Sequence, residues 1–139
     1  MIKLWLDDVR PAPEGYVLCR SVQIAIVKIE NAENIVANAK YAIADYETNY
    51  KHTDSPLKET YAKYTIPKLK QNIANYQIEL IDVDHDLGEY SKYGGDGVRL
   101  LDWLEETGRD YPIRIHSKNP VGVENMRRII QRNNWKETK

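Results

Sequence analysis

The stretch Ile78–Gly88, reading Ile-Glu-Leu-Ile-Asp-Val-Asp-His-Asp-Leu-Gly, restricts the fold of this chain more than any other. Its first half, with Ile78, Leu80, Ile81 and Val83, is a short apolar run of the kind that forms a buried strand. Its second half is Asp84-His85-Asp86, three ionisable groups in succession. In open α/β sheets, ligands gather outside the carboxyl ends of the strands, and a core strand that ends in charge suits that position. Two other runs have the same form: Leu4-Trp5-Leu6-Asp7-Asp8 and Ile113-Arg114-Ile115-His116-Ser117. If the three strands lie parallel and adjacent, their polar ends meet in one place.

The segments between them support that arrangement. Tyr16–Cys19 reads as a short strand after a loop punctuated by Pro11, Pro13 and Gly15. Ser21 is a good N-cap, and Val22, Ala25, Ile26, Ile29, Ala32, Ile35 and Val36 follow at helical spacing. Gly94, Gly95 and Gly97 lie in a loop that lacks the strand–GxGxxG–helix context of a dinucleotide fingerprint, so it reads as a flexible turn, with a phosphate cradle as the other reading. Val98–Leu104 predicts an amphipathic helix stopped by Gly108. A turn at Asn119-Pro120-Val121-Gly122 then leads to a last helix from about Val123 to Arg132. Strands alternating with helices predict a mainly parallel, four-stranded α/β sheet, with strands near 2–7, 16–20, 78–84 and 112–117 and helices on both faces.

Residues 38–77 interrupt this alternation. They show no strand signal, carry six tyrosines, and contain a turn at His52-Thr53-Asp54-Ser55-Pro56. We read them as an inserted helical hairpin, with arms running to about Tyr50 and from about Pro56 to Tyr76, and with Pro67 as a kink. The whole of 1–139 is expected to be one domain that includes this insertion. The hairpin's tyrosines make it a candidate surface for a homo-oligomer, with a lid or a packed decoration as the other readings.

Composition narrows the function. The formal net charge is −1, so no basic field favours bulk DNA binding, and a nucleic-acid ligand would be a nucleotide or a strand end. A single cysteine, Cys19, excludes an internal disulfide and a Cys-rich zinc site, and reads as a buried thiol in a reducing compartment. No apolar run approaches the roughly 18 residues of a membrane span, and no apolar leader is visible before Asp7. The expected location is the cytoplasm.

The strand-end residues suggest a chemistry. Asp7, Asp8 and Asp84, with Asp86 nearby, crowd like charges that a hard divalent cation such as Mg²⁺ would neutralise, commonly together with a substrate phosphate. His85 and His116, at the ends of different strands, suit a general base and a general acid, the division that phosphodiester and cyclic-phosphate hydrolysis requires. Arg10 can clamp a phosphate, and Ser117, Asn119 and Asn125 are polar groups on the same rim. Helix caps, salt bridges and core histidines are the plainer readings of the same residues.

Leu4-Trp5-Leu6-Asp7-Asp8-Val9-Arg10-Pro11-Ala12-Pro13, Asp84-His85-Asp86-Leu87-Gly88, and His116-Ser117-Lys118-Asn119-Pro120-Val121-Gly122 with Asn125-Met126 together resemble the cyclic-phosphate-processing receiver-like domain family. The resemblance runs over roughly 1–37 and 78–135. It implies a receiver-like, flavodoxin-type fold, a site at Asp7, Asp8, Asp84, His85 and His116, and processing of cyclic phosphates on nucleotides or RNA ends. The segment 38–77 is outside the pattern we associate with this family. A phosphorelay receiver is disfavoured, because no fifth strand with a terminal lysine is visible and histidines stand at the site.

Three functions of different kind are therefore expected. The first is a cation-assisted phosphoesterase with Asp84, His85 and His116 at its catalytic centre. The second is a non-catalytic binder that sequesters a phosphorylated signalling nucleotide, as a counter-defence protein would. The third is a pseudo-receiver whose hairpin makes protein contacts.

Overall fold

The computed structural model describes residues 1–139. Its elements in chain order are β1 (Ile2–Leu6), β2 (Tyr16–Cys19), α1 (Val22–Asn49), α2 (Lys58–Thr60), a π-helical turn (Tyr61–Thr65), α3 (Ile66–Asn75), β3 (Ile78–Val83), a 3₁₀ turn (Gly88–Lys92), α4 (Gly97–Glu106), β4 (Ile113–Ile115), α5 (Pro120–Arg132) and β5 (Glu137–Thr138). By compactness the chain divides into two units, Ile2–Ile29 with Ile78–Lys139, and Glu30–Gln77 with Met1.

The first unit is a parallel sheet in the order β2-β1-β3-β4-β5. This is the flavodoxin-like order, which places a switch point between β1 and β3. Leu4 is in register with Ile81, and Ile81 with Ile113, so the three central strands pass their apolar residues through one layer. Around that layer Leu6, Val22, Ile29, Leu87, Leu100, Leu101, Leu104, Met126 and Ile130 form a continuous buried core. Cys19 lies within it, and burial pushes its thiol up to about 11, so it is an unreactive packing group.

The sheet has five strands, not the four expected from the sequence. β5 is two polar residues long and has no apolar run to announce it. It forms because Ile113 and Arg114 of β4 pair with Glu137 and Thr138, with Trp135 buried just before it and Arg127 Nε 2.8 Å from Glu137 Oε1. The last helix also begins earlier than expected. Asn119 is its N-cap, accepting from the Gly122 backbone N–H at 3.0 Å, and Pro120 takes the first position, where no amide hydrogen is needed. The Gly-rich loop contains a 3₁₀ turn where no helix was expected.

Gly97 joins α4 to the sheet. A Cβ there would overlap the Asp84 carbonyl oxygen and stand 2.8 Å from Val83 Cγ1. Backbone cannot yield as a flexible side chain does, so Gly97→Ala is expected to lower stability by about 1–3 kcal/mol or more. Chemical denaturation measures this, and an unchanged midpoint would show that α4 does not bear on the strand end.

The second unit is the helical hairpin. Its first arm is the continuation of α1, a 28-residue helix, and its second is α2, the π turn and α3. Ala32, Ala39 and Tyr46 are buried at intervals of one heptad along α1, and Ile66 is buried on α3. Small residues on such a seam let helices approach closely. Tyr61 stacks on Tyr50 with ring centroids 5.5 Å apart, which pins the two arms near the turn. The π turn ends two residues before Pro67, which has no N–H to donate to the carbonyl one turn back. The expected kink is therefore met by a local change of winding.

Candidate functional site

Three ladder bonds bring the polar strand ends together. Asp7 N donates to Cys19 O at 3.1 Å, Asp84 N to Leu6 O at 2.9 Å, and His116 N to Val83 O at 3.1 Å. Each residue sits one step past its strand, fixed by the last carbonyl of the neighbouring strand.

Asp7 is buried to 1% exposure and fully engaged. Its Oδ1 accepts from the backbone N–H of Val9 at 2.8 Å and of Arg10 at 2.6 Å, and its Oδ2 lies 3.0 Å from His116 Nε2. Burial alone would push this carboxyl up, but the Arg10 and Val9 amides and the His116 ring outweigh it and hold the group below the usual carboxylate range. Asp84 is the opposite case. Burial first, and then the charge of Asp7, push its carboxyl above the usual range, against hydrogen bonding from the Ser117 side chain. The repulsion that Asp7 exerts on Asp84 is what a cation placed against both carboxylates would relieve. Asp7, Asp84 and His116 present ligand atoms that all lie within 4.8 Å of one another.

The carboxylates open on a cleft of about 360 Å³ lined by Asp7, Asp8, Val9, Arg10, Asp84, Asp86, Gly88 and Lys118. Two cations, Arg10 and Lys118, therefore face four acids. Arg10 is also anchored, donating from Nη1 to His116 O at 3.2 Å, with Nε 4.0 Å from Asp7 Oδ2.

Neither histidine lines the cleft. His116 is held by two acids, with Nδ1 2.6 Å from Asp82 Oδ1 and Nε2 3.0 Å from Asp7 Oδ2. Trp5 stacks on its face, ring centroids 3.8 Å apart and planes within 5°. Both nitrogens donate at once only when the ring carries two protons. His85 turns toward the start of α5. Its Nδ1 is 2.8 Å from Asp86 Oδ1, and its ring packs so closely on Gly122 that a Cβ there would overlap it. Asn119 joins this second group, with Nδ2 3.2 Å from Asp86 Oδ1 and 3.3 Å from Oδ2. The His85 hydrogen bond, with help from Asn119, holds the Asp86 carboxyl below the usual range.

Of the remaining residues singled out from the sequence, Ser117 hydrogen-bonds Asp84 and accepts from Asn119 N at 3.2 Å, so it braces the loop. Asn125 is exposed on α5 and does not line the cleft. Sequence reasoning missed Asp82 and Lys118. Asp82 has 0% exposure in the middle of β3, with Arg114 Nε 3.8 Å from its Oδ2. The signal was present: an acid inside an apolar strand requires a partner.

A family model described as "Cyclic-phosphate processing Receiver domain" matches residues 42–132, more than half of the chain. The chain belongs to this family of receiver domains. The match contains Asp84-His85-Asp86 and His116-Ser117, and it runs through much of the hairpin, which the sequence reading had set outside the family pattern. It does not reach β1, so the placing of Asp7 and Asp8 in this receiver domain's site rests on the ladder bonds and the cleft. Neither the comparison with curated proteins nor that with solved structures found a match. No helix is long and apolar enough to cross a membrane.

Proposed function

We propose that this receiver domain is a phosphoesterase that opens a cyclic phosphate, or removes a terminal one, on a nucleotide or RNA end. The observation that supports it best is the cleft in which the acids Asp7, Asp8, Asp84 and Asp86 face the cations Arg10 and Lys118. Asp7 and Asp84, with His116 behind them, bring ligand atoms within 4.8 Å of one another, and Asp8 lines the same cleft, a carboxylate-rich donor set that suits a hard divalent cation. Asp84 and Asp7 would hold it with Asp8 beside them, and when bound it would supply charge stabilisation to the phosphate oxygens.

The chain's own residues do the rest. Arg10 and Lys118 orient the phosphate by charge-assisted hydrogen bonds. Water adds to phosphorus, one P–O ester bond breaks, and the leaving oxygen gains the proton that water loses. Of the two histidines His85 is the one left for that transfer: it stands behind Asp86, which lines the cleft and holds its Nδ1 at 2.8 Å, so its proton would reach the phosphate through a bridging water. His116 has both nitrogens on carboxylates and serves to hold Asp7. The division of base and acid between two histidines thus becomes one proton-transfer group and one positioning group.

The second reading, a binder that sequesters the nucleotide, is favoured by the same engagement of His116, which takes one expected proton-transfer group out of play. One experiment separates the two. The protein is incubated with Mg²⁺ or Mn²⁺ and a panel of 2′,3′- and 3′,5′-cyclic nucleotides, cyclic di- and trinucleotides and 2′,3′-cyclic RNA ends, and products are weighed by mass spectrometry. The phosphoesterase adds one water to at least one of them. Tight binding with the mass unchanged throughout would establish the binder.

A further inference from the structure

A second cavity in the sheet unit, about 220 Å³ and almost entirely apolar, is lined by Arg20, Ser21, Gln23, Ile24, Tyr90 and Tyr93. The core does not use it. Tyr90 and Tyr93 are 39% and 44% exposed, Ile24 is 46% exposed, and none belongs to the buried cluster. Yet the pocket wall is rigidly built. Tyr93 N donates to Tyr90 O at 2.9 Å and Gln23 N to Tyr93 O at 3.1 Å, which ties the two tyrosines to the first turn of α1. The two rings lie 6.4 Å apart, tilted by 49°, and Lys92 Nζ stands 5.1 Å from the centre of the Tyr93 ring.

This pocket adjoins the acidic cleft through two connections. Gly88 of the cleft and Tyr90 of the pocket are in one 3₁₀ turn, where each residue advances only about 2 Å. Arg20 of the pocket reaches under the cleft's loop, donating from Nη1 to Asp7 O at 3.1 Å and to Arg10 O at 2.9 Å. A ligand with its phosphate in the cleft therefore has an aromatic, apolar compartment on the neighbouring stretch of the same turn. Its size is below the roughly 300–1,000 Å³ of a drug-sized pocket and suits one planar ring system.

We propose that this pocket is the base subsite of the proposed phosphoesterase: it takes the nucleobase of the nucleotide whose phosphate occupies the cleft, stacked on one of the two tyrosine rings with the other ring against its edge. Tyrosine faces accept any base, because every base has a π-face, so the subsite selects nucleotides over other phosphate esters without strong choice among bases. The inference rests on the phosphate reading of the cleft, and its test tells the two apart.

The test compares adenosine 2′,3′-cyclic phosphate with glycerol 1,2-cyclic phosphate, which has no base, on the wild-type chain and on Tyr90→Leu/Tyr93→Leu. The readout is kcat/KM, or Kd if the ligands are returned intact. The wild type is expected to prefer the adenosine compound by about 10- to 100-fold, the range of base–aromatic stacking. The double variant, whose changes are at half-exposed positions, is expected to keep its melting temperature and its value for the glycerol compound while losing the preference. An undiminished preference in the variant overturns the base subsite and leaves the phosphate reading standing. Adenosine alone supplies the converse control. It shifts the Tyr90 and Tyr93 ring resonances of the wild type if the pocket takes a base, even where neither cyclic phosphate binds, and the absence of any shift counts against the pocket.

Discussion

His116→Ala is expected to destabilise the protein by about 3–5 kcal/mol, the range for removing one partner of a buried charged array. The ring bridges Asp82 and Asp7, which are 0% and 1% exposed, and Trp5 covers its face. Truncation leaves two buried carboxylates without that partner and opens a void against the indole. Arg114 stands 3.8 Å from Asp82 Oδ2, too far to replace the lost hydrogen bond. Denaturant unfolding at neutral pH gives the loss directly, and the melting temperature should fall by about 3 °C per kcal/mol. Asp82→Leu combined with His116→Leu should recover much of it, since apolar replacement of a buried ionic group is often neutral. A loss below about 1 kcal/mol in His116→Ala would mean that the array does not hold the strand ends.

Asp84→Asn should do the reverse in the absence of metal: it should stabilise the fold at neutral pH while removing function. Burial and the charge of Asp7 raise the folded-state pKa of Asp84. A carboxyl raised in this way binds its proton more tightly folded than unfolded. Its contribution is therefore complete below the unfolded value and is lost as pH rises through the folded one. At neutral pH the ionised group opposes folding, and asparagine relieves that cost. Asp7, whose folded value is lowered, contributes stability above its unfolded value and loses it as pH falls through the folded one. The metal-free protein should thus gain from Asp84→Asn at pH 7, and the gain should shrink toward acid pH.

The functional half of the same experiment uses Mg²⁺ or Mn²⁺. A cation at 100 times its Kd stabilises the folded state by about 2.7 kcal/mol, visible as a rise in melting temperature. The wild type should show that rise and Asp84→Asn should not. Turnover should fall by about 10²–10³-fold, as when one group that stabilises developing charge is removed. A variant that melts lower than wild type without metal, or that keeps its cation response, would remove Asp84 from the site.

Much of this was legible in the chain, because the sheet is written in runs whose apolar and charged halves are separate. β1, β3 and β4 announce themselves in that way, and β2 follows from the Pro- and Gly-marked loop before it. β5 does not, since two polar residues become a strand only through the partner that β4 offers. Asp7, Asp8, Asp84 and Arg10 could be placed on one rim because residues just past parallel strands must lie near one another. The direction of a side chain past its strand is another matter. Nothing in Asp84-His85-Asp86 says that His85 turns to Asp86 and Gly122, and nothing in Ile115-His116 says that His116 points back between two acids. Asp82 decides the second case: an acid inside an apolar strand announces that it needs a partner, but which partner is visible only with the neighbouring strand in place.

The inserted hairpin bears on how the sheet can assemble. β1 pairs with β3 along its whole length, and the segment between these strands includes all of residues 30–77. Closing a flexible loop of that length costs conformational entropy that grows by about 0.6 kcal/mol per doubling. A hairpin made of local helical contacts forms early and brings its own ends together. Most of the intervening chain then ceases to count as loop, and the entropic cost of the central strand pairing drops by about 1 kcal/mol. An insertion of this kind lengthens the chain while leaving the search for the β1–β3 register nearly as short as in a receiver without it.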